Sequence, residues 1–315
     1  MSDFAYAVQD GTARELKLAD GPTTTADLIW VHLTGSDEHA RRWLAHKARL
    51  PDFAIDALTA AETRPRCDAT RDGAFVNLRG LSSQVTTSEP LASVRLYATL
   101  GRVYSVTRRP LCALDDVKRM ITAGEVHDPG DLIAAFATAI TEGLDPVVAD
   151  LGDSLDECET MLDAKNAVEL RRSVTRARTE AIGYRRFLFP QRAALDKLAA
   201  LPGGWLREDD RQHLAAAADR AARMAEEVEA IRERAAVMHE TLTDLRAELL
   251  DQRSLTIAIA AMIFLPLTFL TGLLGMNVEG IPYAQEPWAF WGVIGVCIML
   301  AALVAAYFTW KHWTR

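Results

Sequence analysis

A stripe of small and hydroxyl-bearing residues recurs every seven positions in an uncharged stretch near the end of the chain. Ser254, Ala261 and Thr268 form this stripe, and Glu240 lies on its continuation towards the N-terminus. Residues seven apart share one face of a helix. Hydroxyl groups in an apolar helix suit a polar path, because lipid does not solvate them. The alternative is that the stripe packs helices closely, with its hydroxyls bonded to their own backbone.

Larger apolar residues interrupt the same face. Leu265 and Ile257 are predicted to form constrictions that gate a path by excluding water. Gly275 stands at the head of the stripe, and Met276 and Asn277 follow it. The amide oxygen of Asn277 suits a partly hydrated hard cation held at low affinity, which permits its release.

Two acidic residues follow this tripeptide within a short segment that contains no basic residue. Glu279 and Glu286 are expected to concentrate cations around the mouth of such a path. Their other interpretation is that they only keep a loop soluble. These groups would attract cations, and Asn277 would hold a hydrated ion only transiently.

These residues need two membrane spans to position them. No charged side chain occurs from Ser254 to Val278, nor from Pro287 to Trp310. Each stretch has about 20 apolar residues, the length of a helix that crosses about 30 Å of hydrocarbon. We predict spans at about 254–274 and 288–310, joined by an external loop at 275–287.

Charges and aromatic residues predict the orientation of this hairpin. Arg246, Arg253, Lys311 and Arg315 flank the outer ends of the two spans, whereas the loop holds only acids. Because positively charged flanks stay on the cytoplasmic side, both termini are expected in the cytoplasm. The hairpin itself is expected in the cytoplasmic membrane. The N-terminus has neither a basic segment nor an apolar core typical of a signal peptide. Tryptophans at both ends of the second span are typical of interfacial belts.

The preceding residues predict an α+β fold class, with three parts in the whole chain: an α/β domain at 1–130, a helical stalk at 131–253 and the transmembrane hairpin at 254–315. Helices are predicted at 37–48, 51–61 and 111–123. They alternate with runs of strand formers at 28–33 and 74–78 and with a β-hairpin at 94–107.

Long helices are predicted after residue 130, at 131–164 and 166–200, with a third from Glu208 to Leu274. Apolar residues of this third helix fall at alternating steps of three and four from Leu214 to Leu249. This spacing is typical of a coiled-coil seam. The acids between Asp150 and Asp163 are expected to pair with the arginines between Arg171 and Arg192, or else to sense metal in the cytosol.

Several function classes are disfavoured by composition. A net charge of −8 argues against nucleic acid as a partner. The cysteines (Cys67, Cys112, Cys158, Cys297) are predicted to be reduced, buried thiols, and the histidines at 32, 39, 46, 127, 213 and 239 are expected to be surface residues without metal-ligand spacing. Nothing resembles a catalytic motif, so an enzyme is not expected.

Four segments together carry a family resemblance. They are Glu62-Thr63-Arg64-Pro65-Arg66, Pro190-Gln191-Arg192, the run from Phe264 to Leu274 with the tripeptide Gly275-Met276-Asn277, and Gly280-Ile281-Pro282. The chain resembles the CorA family of divalent metal cation transporters over its whole length. Among the branches of that family it looks most like the zinc transporter branch, ZntB.

The resemblance implies a funnel-shaped homopentamer in the lipid bilayer. The first span of each subunit would line a central pore, with the tripeptide at its external mouth. Zinc is the expected ion, with a magnesium channel that also passes cobalt or nickel as the alternative, and no tightly bound cofactor is implied. A remoter alternative is a membrane-anchored scaffold that only oligomerises through its stalk.

Overall fold

Strand β3 (Leu28–Thr34) forms the middle of the N-terminal fold, because residues on both of its faces are buried. Ile29, Val31 and Leu33 point to one side of the sheet, and Trp30 and His32 point to the other. A strand buried on both faces reads as a continuous apolar run, as this one does. The computed structural model describes residues 3–35, 37–61, 64–84, 90–163, 166–276, 281 and 286–313.

Seven strands form one sheet in the order β2-β1-β3-β7-β6-β5-β4. The other strands are β1 (Phe4–Gln9), β2 (Thr12–Leu16), β4 (Arg66–Thr70), β5 (Gly73–Leu81), β6 (Leu91–Thr99) and β7 (Arg102–Thr107). Only the β3–β7 pair is parallel among the described pairings. The predicted strands at 28–33 and 74–78 and the hairpin at 94–107 are confirmed.

Helices cover both faces of the sheet. Helices α1 (Asp37–His46) and α2 (Asp52–Thr59) pack on one face, where Leu44 and Leu58 join the core formed with Ile29 and Val31. On the other face lie α3 (Cys112–Ala123) and α4 (Pro129–Thr160). There the ring of Phe136 meets Trp30 edge to face, with centroids 5.6 Å apart.

Three further helices complete the chain: α5 (Ala167–Ala199), α6 (Glu208–Leu274) and α7 (Ala289–Trp313). The predicted helix from Glu208 to Leu274 therefore exists as one element. The chain divides into two compact units, the first holding 1–161 and 169–239 and the second holding 162–168 and 240–315. The sheet and the helices packed on it belong to the first unit.

Candidate functional site

Helix α6 carries the predicted path and continues without interruption through Pro266. It ends at Leu274, and the backbone N–H of Gly275 still donates to the carbonyl oxygen of Thr271 at 2.9 Å. Gly275 therefore lies at the exit of the helix. Met276 follows it, exposed to 49%.

The stripe residues lie on an exposed face of α6. Ser254, Ala261 and Thr268 are all exposed in the single chain. The two larger residues on this face are also widely exposed, Leu265 at 73% and Ile257 at 71%. Glu240, on the continuation of the stripe, is exposed as well.

The partly shielded residues of the same helix segment lie mostly on the opposite side. Most of them fall at steps of three and four, at Ile259, Ile263, Pro266, Leu270 and Leu274, and Leu267 is partly shielded as well. At about 100° per residue, the first four of these positions lie about 160° around the helix from the nearest stripe residue in the sequence, and Leu274 lies about 120° from Thr268. Helix α7 has a matching series of less exposed residues at Val293, Cys297, Leu300 and Val304. Such a periodicity is expected of two helices that lie against each other along these faces, and the stripe residues stay exposed.

Thr268 has its hydroxyl satisfied within the helix. Its Oγ1 donates to the carbonyl oxygen of Phe264 at 2.8 Å. Because the hydrogen is used in this bond, the remaining lone pairs of Oγ1 are available to accept a hydrogen bond or to face a cation. The expectation that hydroxyls bond to their own backbone is met at Thr268, and it is compatible with a polar path.

Only part of the predicted mouth falls in the described ranges. Glu286 is exposed, and its carbonyl oxygen accepts the backbone N–H of Ala289 at 3.1 Å. Asn277 and Glu279 lie outside the described residues, as do Glu62 and Thr63 of the first resemblance segment.

Three helices of the described chain are long and apolar enough to cross a membrane. In α4 the relevant window is 56% buried, whereas in α6 and in α7 (Ala289–Phe308) it is 0% buried. The apolar surface of α4 is covered by the sheet, so it is a core helix. Helices α6 and α7 instead expose long apolar faces, including Trp291 at 71% and Trp310 at 70%.

Comparison with known proteins identifies the family. The family model described as "CorA-like Mg2+ transporter protein" matches residues 25–312. The chain belongs to the CorA family of divalent cation transporters. It is 28% identical to the zinc transport protein ZntB of Yersinia enterocolitica, over 99% of this chain and 96% of that one. It is 32% identical to the divalent cation transporter CmaX of Pseudomonas aeruginosa, over 91% of this chain and 86% of the relative.

The fold agrees with this membership. The solved structure of full-length CmaX superposes with a TM-score of 0.78 at 29% sequence identity, covering 99% of this chain and 98% of the other. Among the resemblance segments, Gln191 is buried, and its Oε1 accepts the backbone N–H of Arg79 at 2.8 Å. This residue therefore fixes α5 to strand β5 of the CorA-family domain.

The apolar seam of α6 is buried within the single chain. Buried members are Leu214, Ala217, Ala221, Met224, Val228, Ile231, Ala235, Met238 and Leu242, and Leu245 and Leu249 are half-buried. Arg220 of α6 pairs with Glu142 of α4 at 3.3 Å, which brings these helices side by side. The seam thus serves intrachain packing, which removes the basis for a scaffold that oligomerises through it.

The acidic stretch of α4 has a different partner from the one predicted. Arg234 of α6 pairs with Asp156 and, at 2.6 Å, with Glu159. Arg185 of α5 pairs with Glu229 of α6. Helix α6 therefore receives ion pairs from both neighbours, whereas the sequence predicted pairing between α4 and α5.

The expectation of surface histidines is wrong for His32. This side chain is fully buried between Ser105 Oγ, 2.7 Å from its Nδ1, and Thr107 Oγ1, 3.2 Å from its Nε2. Burial, and then the charge of Lys118, lowers the pKa of His32 to about 3. Among the cysteines, Cys67 and Cys158 are buried as predicted, but Cys112 is exposed and Cys297 is half-buried.

Three aspartates that the sequence did not single out also lie together. One carboxylate oxygen from each of Asp128, Asp131 and Asp210 falls within 4.8 Å of the other two. Asp128 and Asp131 belong to the start of α4, and Asp210 belongs to the first turn of α6. Their separation in sequence hides the cluster, although acids at two helix starts are a signal of capping.

Proposed function

We propose that this protein transports zinc across the cytoplasmic membrane through a central pore formed by five copies of α6. Gly275, Met276 and Asn277 form the external mouth in this proposal, and Asn277 touches the hydrated ion transiently. The exposed stripe of α6, on a different side of the helix from most of its partly shielded residues, is the observation that carries the proposal. The activity is transport and not catalysis, and it needs no tightly bound cofactor.

The stripe favours a pore over contact with lipid. Hydroxyl-bearing and small side chains gain no stability from contact with lipid hydrocarbon. Where helices pack closely around a symmetry axis, small residues let the backbones approach and hydroxyl groups can form hydrogen bonds. Thr268 would offer its oxygen to the ion path. Leu265 and Ile257, both widely exposed in one chain, would form apolar constrictions that exclude water when the pore is closed.

The choice of zinc rests on relatives. A relative that aligns along nearly the whole chain is a zinc transport protein, and the segment from Phe264 to Leu274 resembles that branch. Magnesium, with cobalt or nickel, is the second candidate. The description of the matching family model names Mg²⁺, and a pore mouth whose ligands are all oxygen atoms favours hard ions. Hydrated zinc and magnesium carry the same charge, so weak sites can serve either ion.

The proposed orientation places both termini in the cytoplasm. Arg253 and Lys311 lie near the ends opposite the loop, and the loop carries Glu279 and Glu286. A membrane-impermeant thiol reagent should label a cysteine introduced at Tyr283 from outside but not one at Thr314. Labelling at both positions would contradict the hairpin.

Flux into liposomes that contain the purified full-length protein tests the function. We expect saturable zinc uptake that exceeds magnesium uptake, and a severe loss of uptake in Asn277→Ala. The matched control Asn166→Ala removes an exposed amide outside the spans and should leave uptake unchanged. Robust magnesium uptake beside background zinc uptake would select the second candidate, and no uptake of either ion would refute transport.

A further inference from the structure

The N-termini of α4 and α6 meet in the first unit, and acidic side chains cap both. Asp128 Oδ1 accepts the backbone N–H groups of Gly130 at 2.8 Å and Asp131 at 3.0 Å. Asp131 Oδ2 accepts the backbone N–H of His127 at 2.9 Å, and Asp210 Oδ2 accepts that of Arg207 at 2.7 Å. Capping therefore accounts for one oxygen of each carboxylate.

Asp210 has a second oxygen that capping does not explain. The residue is fully buried, and its Oδ1 has no hydrogen-bond donor. The carboxylate lies directly against the backbone of α4, since a Cβ at Gly130 would stand 2.1 Å from Asp210 Oδ2. A buried carboxylate oxygen beside two other carboxylates is costly unless it gains a positive partner or a proton.

Neighbouring side chains pair with only part of the cluster. Arg207 Nε lies 2.9 Å from Asp128 Oδ2, and His127 Nδ1 lies 3.2 Å from Asp131 Oδ2. Both partners bind the outer carboxylates, and neither provides a described bond to Asp210. Burial, then a side-chain hydrogen bond with Asp131 and the negative charges of Asp128 and Asp131, raise the pKa of Asp210 to about 7.

We propose that Asp128, Asp131 and Asp210 bind one hard divalent cation of the Mg²⁺ or Mn²⁺ class, which fastens the start of α6 to the start of α4. An all-oxygen ligand set suits such ions, and Mg²⁺ ligands at about 2.1 Å stand about 3–4 Å apart, compatible with this grouping. A cleft of about 690 Å³, lined by His127, Trp205 and Arg207 among others, reaches one member of the cluster, Asp128. The site belongs to the first unit and is separate from the transport stripe.

Mn²⁺ is the probe, because the fraction of free ion can be counted by electron paramagnetic resonance. We expect the full-length protein in mild detergent to bind one more Mn²⁺ per chain than the double variant Asp131→Asn/Asp210→Asn, with Mg²⁺ competing for that ion. The control Asp150→Asn/Asp153→Asn removes two exposed acids further along α4 and should bind as the wild type does.

Thermal unfolding supplies a second readout that does not depend on other cation sites. In the presence of EDTA the double variant should unfold at the same or a higher temperature than the wild type, because it lacks two crowded charges. Mn²⁺ should then raise the unfolding temperature of the wild type and of the control, but not that of the double variant. If the double variant does not fold, Asp210→Asn alone is measured. Equal Mn²⁺ stoichiometry in the wild type and the double variant overturns the proposal. An unfolding temperature of the wild type that does not change with Mn²⁺ also overturns it, and would indicate that the carboxylates share a proton instead.

Discussion

Thr268 Oγ1 donates to the carbonyl oxygen of Phe264 at 2.8 Å, and Thr256 Oγ1 donates in the same way to Gln252 at 3.0 Å. The two threonines share residue type, helix and local bond, but they stand about 120° apart around α6 at about 100° per residue. Only Thr268 belongs to the stripe of the proposed pore. The pair therefore separates a conduction role from a purely local one.

Replacing Thr268 with valine should lower zinc flux in liposomes by about tenfold, the effect of losing one polar contact of about 1.4 kcal/mol. Thr256→Val, which deletes an equivalent bond away from the stripe, is the control and should transport at nearly the wild-type rate. Equal flux in both variants would remove Thr268 from the path.

Ile231 tests the assignment of the α6 seam to intrachain packing. It is 2% exposed in the single chain, whereas Val237 on the same helix is 63% exposed. Ile231→Ala should lower the free energy of unfolding by about 2–5 kcal/mol, as for other truncated core residues, while Val237→Ala should change it little. Urea unfolding measures the difference.

The same two variants also test the assembly. The proposed assembly has five subunits, and native mass spectrometry should count five for the wild type. Because the seam packs within its own chain, both variants should give the same number. Dissociation of Ile231→Ala into single chains that remain folded would mean that the seam joins subunits.

The sequence predicted more of the elements than of their partners. The run at 28–33, which is rich in strand formers, marks β3 clearly, and the spacing from Leu214 to Leu249 marks a helix. The spacing does not show what the seam packs against, because a seam that packs against α4 and a seam that packs against another subunit have the same period. The short strands β2 and β4 were not predicted because their exposed polar residues, such as Arg14 and Asp68, weaken the alternation.

The candidate site divides in the same way. The stripe at Ser254, Ala261 and Thr268 was readable because it depends on one helix. The cluster of Asp128 and Asp210 depends on a tertiary contact between residues far apart in the chain, and nothing in the local pattern predicts that the two helix starts meet. His32 was misassigned because its partners, Ser105 and Thr107, lie on a neighbouring strand.

His32 should make the stability of the first unit depend on pH. Its pKa of about 3 in the fold lies below the usual value of 6.5, so protonation favours the unfolded chain. Its contribution to stability is complete above about pH 6.5 and is lost as the pH falls towards 3. At pH 4.5 the loss amounts to about 2–3 kcal/mol.

Urea unfolding at pH 7 and at pH 4.5 measures this loss against His32→Gln, which keeps hydrogen-bonding groups but does not titrate. The wild type should lose more stability between the two pH values than His32→Gln does. His46→Gln, at an exposed histidine, should behave as the wild type. Parallel losses in all three proteins would show that His32 does not titrate below its usual range.

Proton coupling is the last expectation, and it follows from the proposed zinc transport. The uncharged stretches from Ser254 to Val278 and from Pro287 to Trp310 contain no carboxylate, so any proton carrier of that type must lie at their ends. The candidates are Glu279 and Glu286 in the loop and Glu240 and Glu248 on α6 before the first span. A gradient of one pH unit stores about 1.4 kcal/mol per proton, or about a tenfold change in zinc accumulation. Acidifying the loop side of zinc-transporting liposomes should raise zinc accumulation, and Glu→Gln at one of these four positions should abolish the rise while leaving basal flux. If zinc accumulation by the wild type does not change with the pH gradient, zinc flows passively down the electrical potential instead.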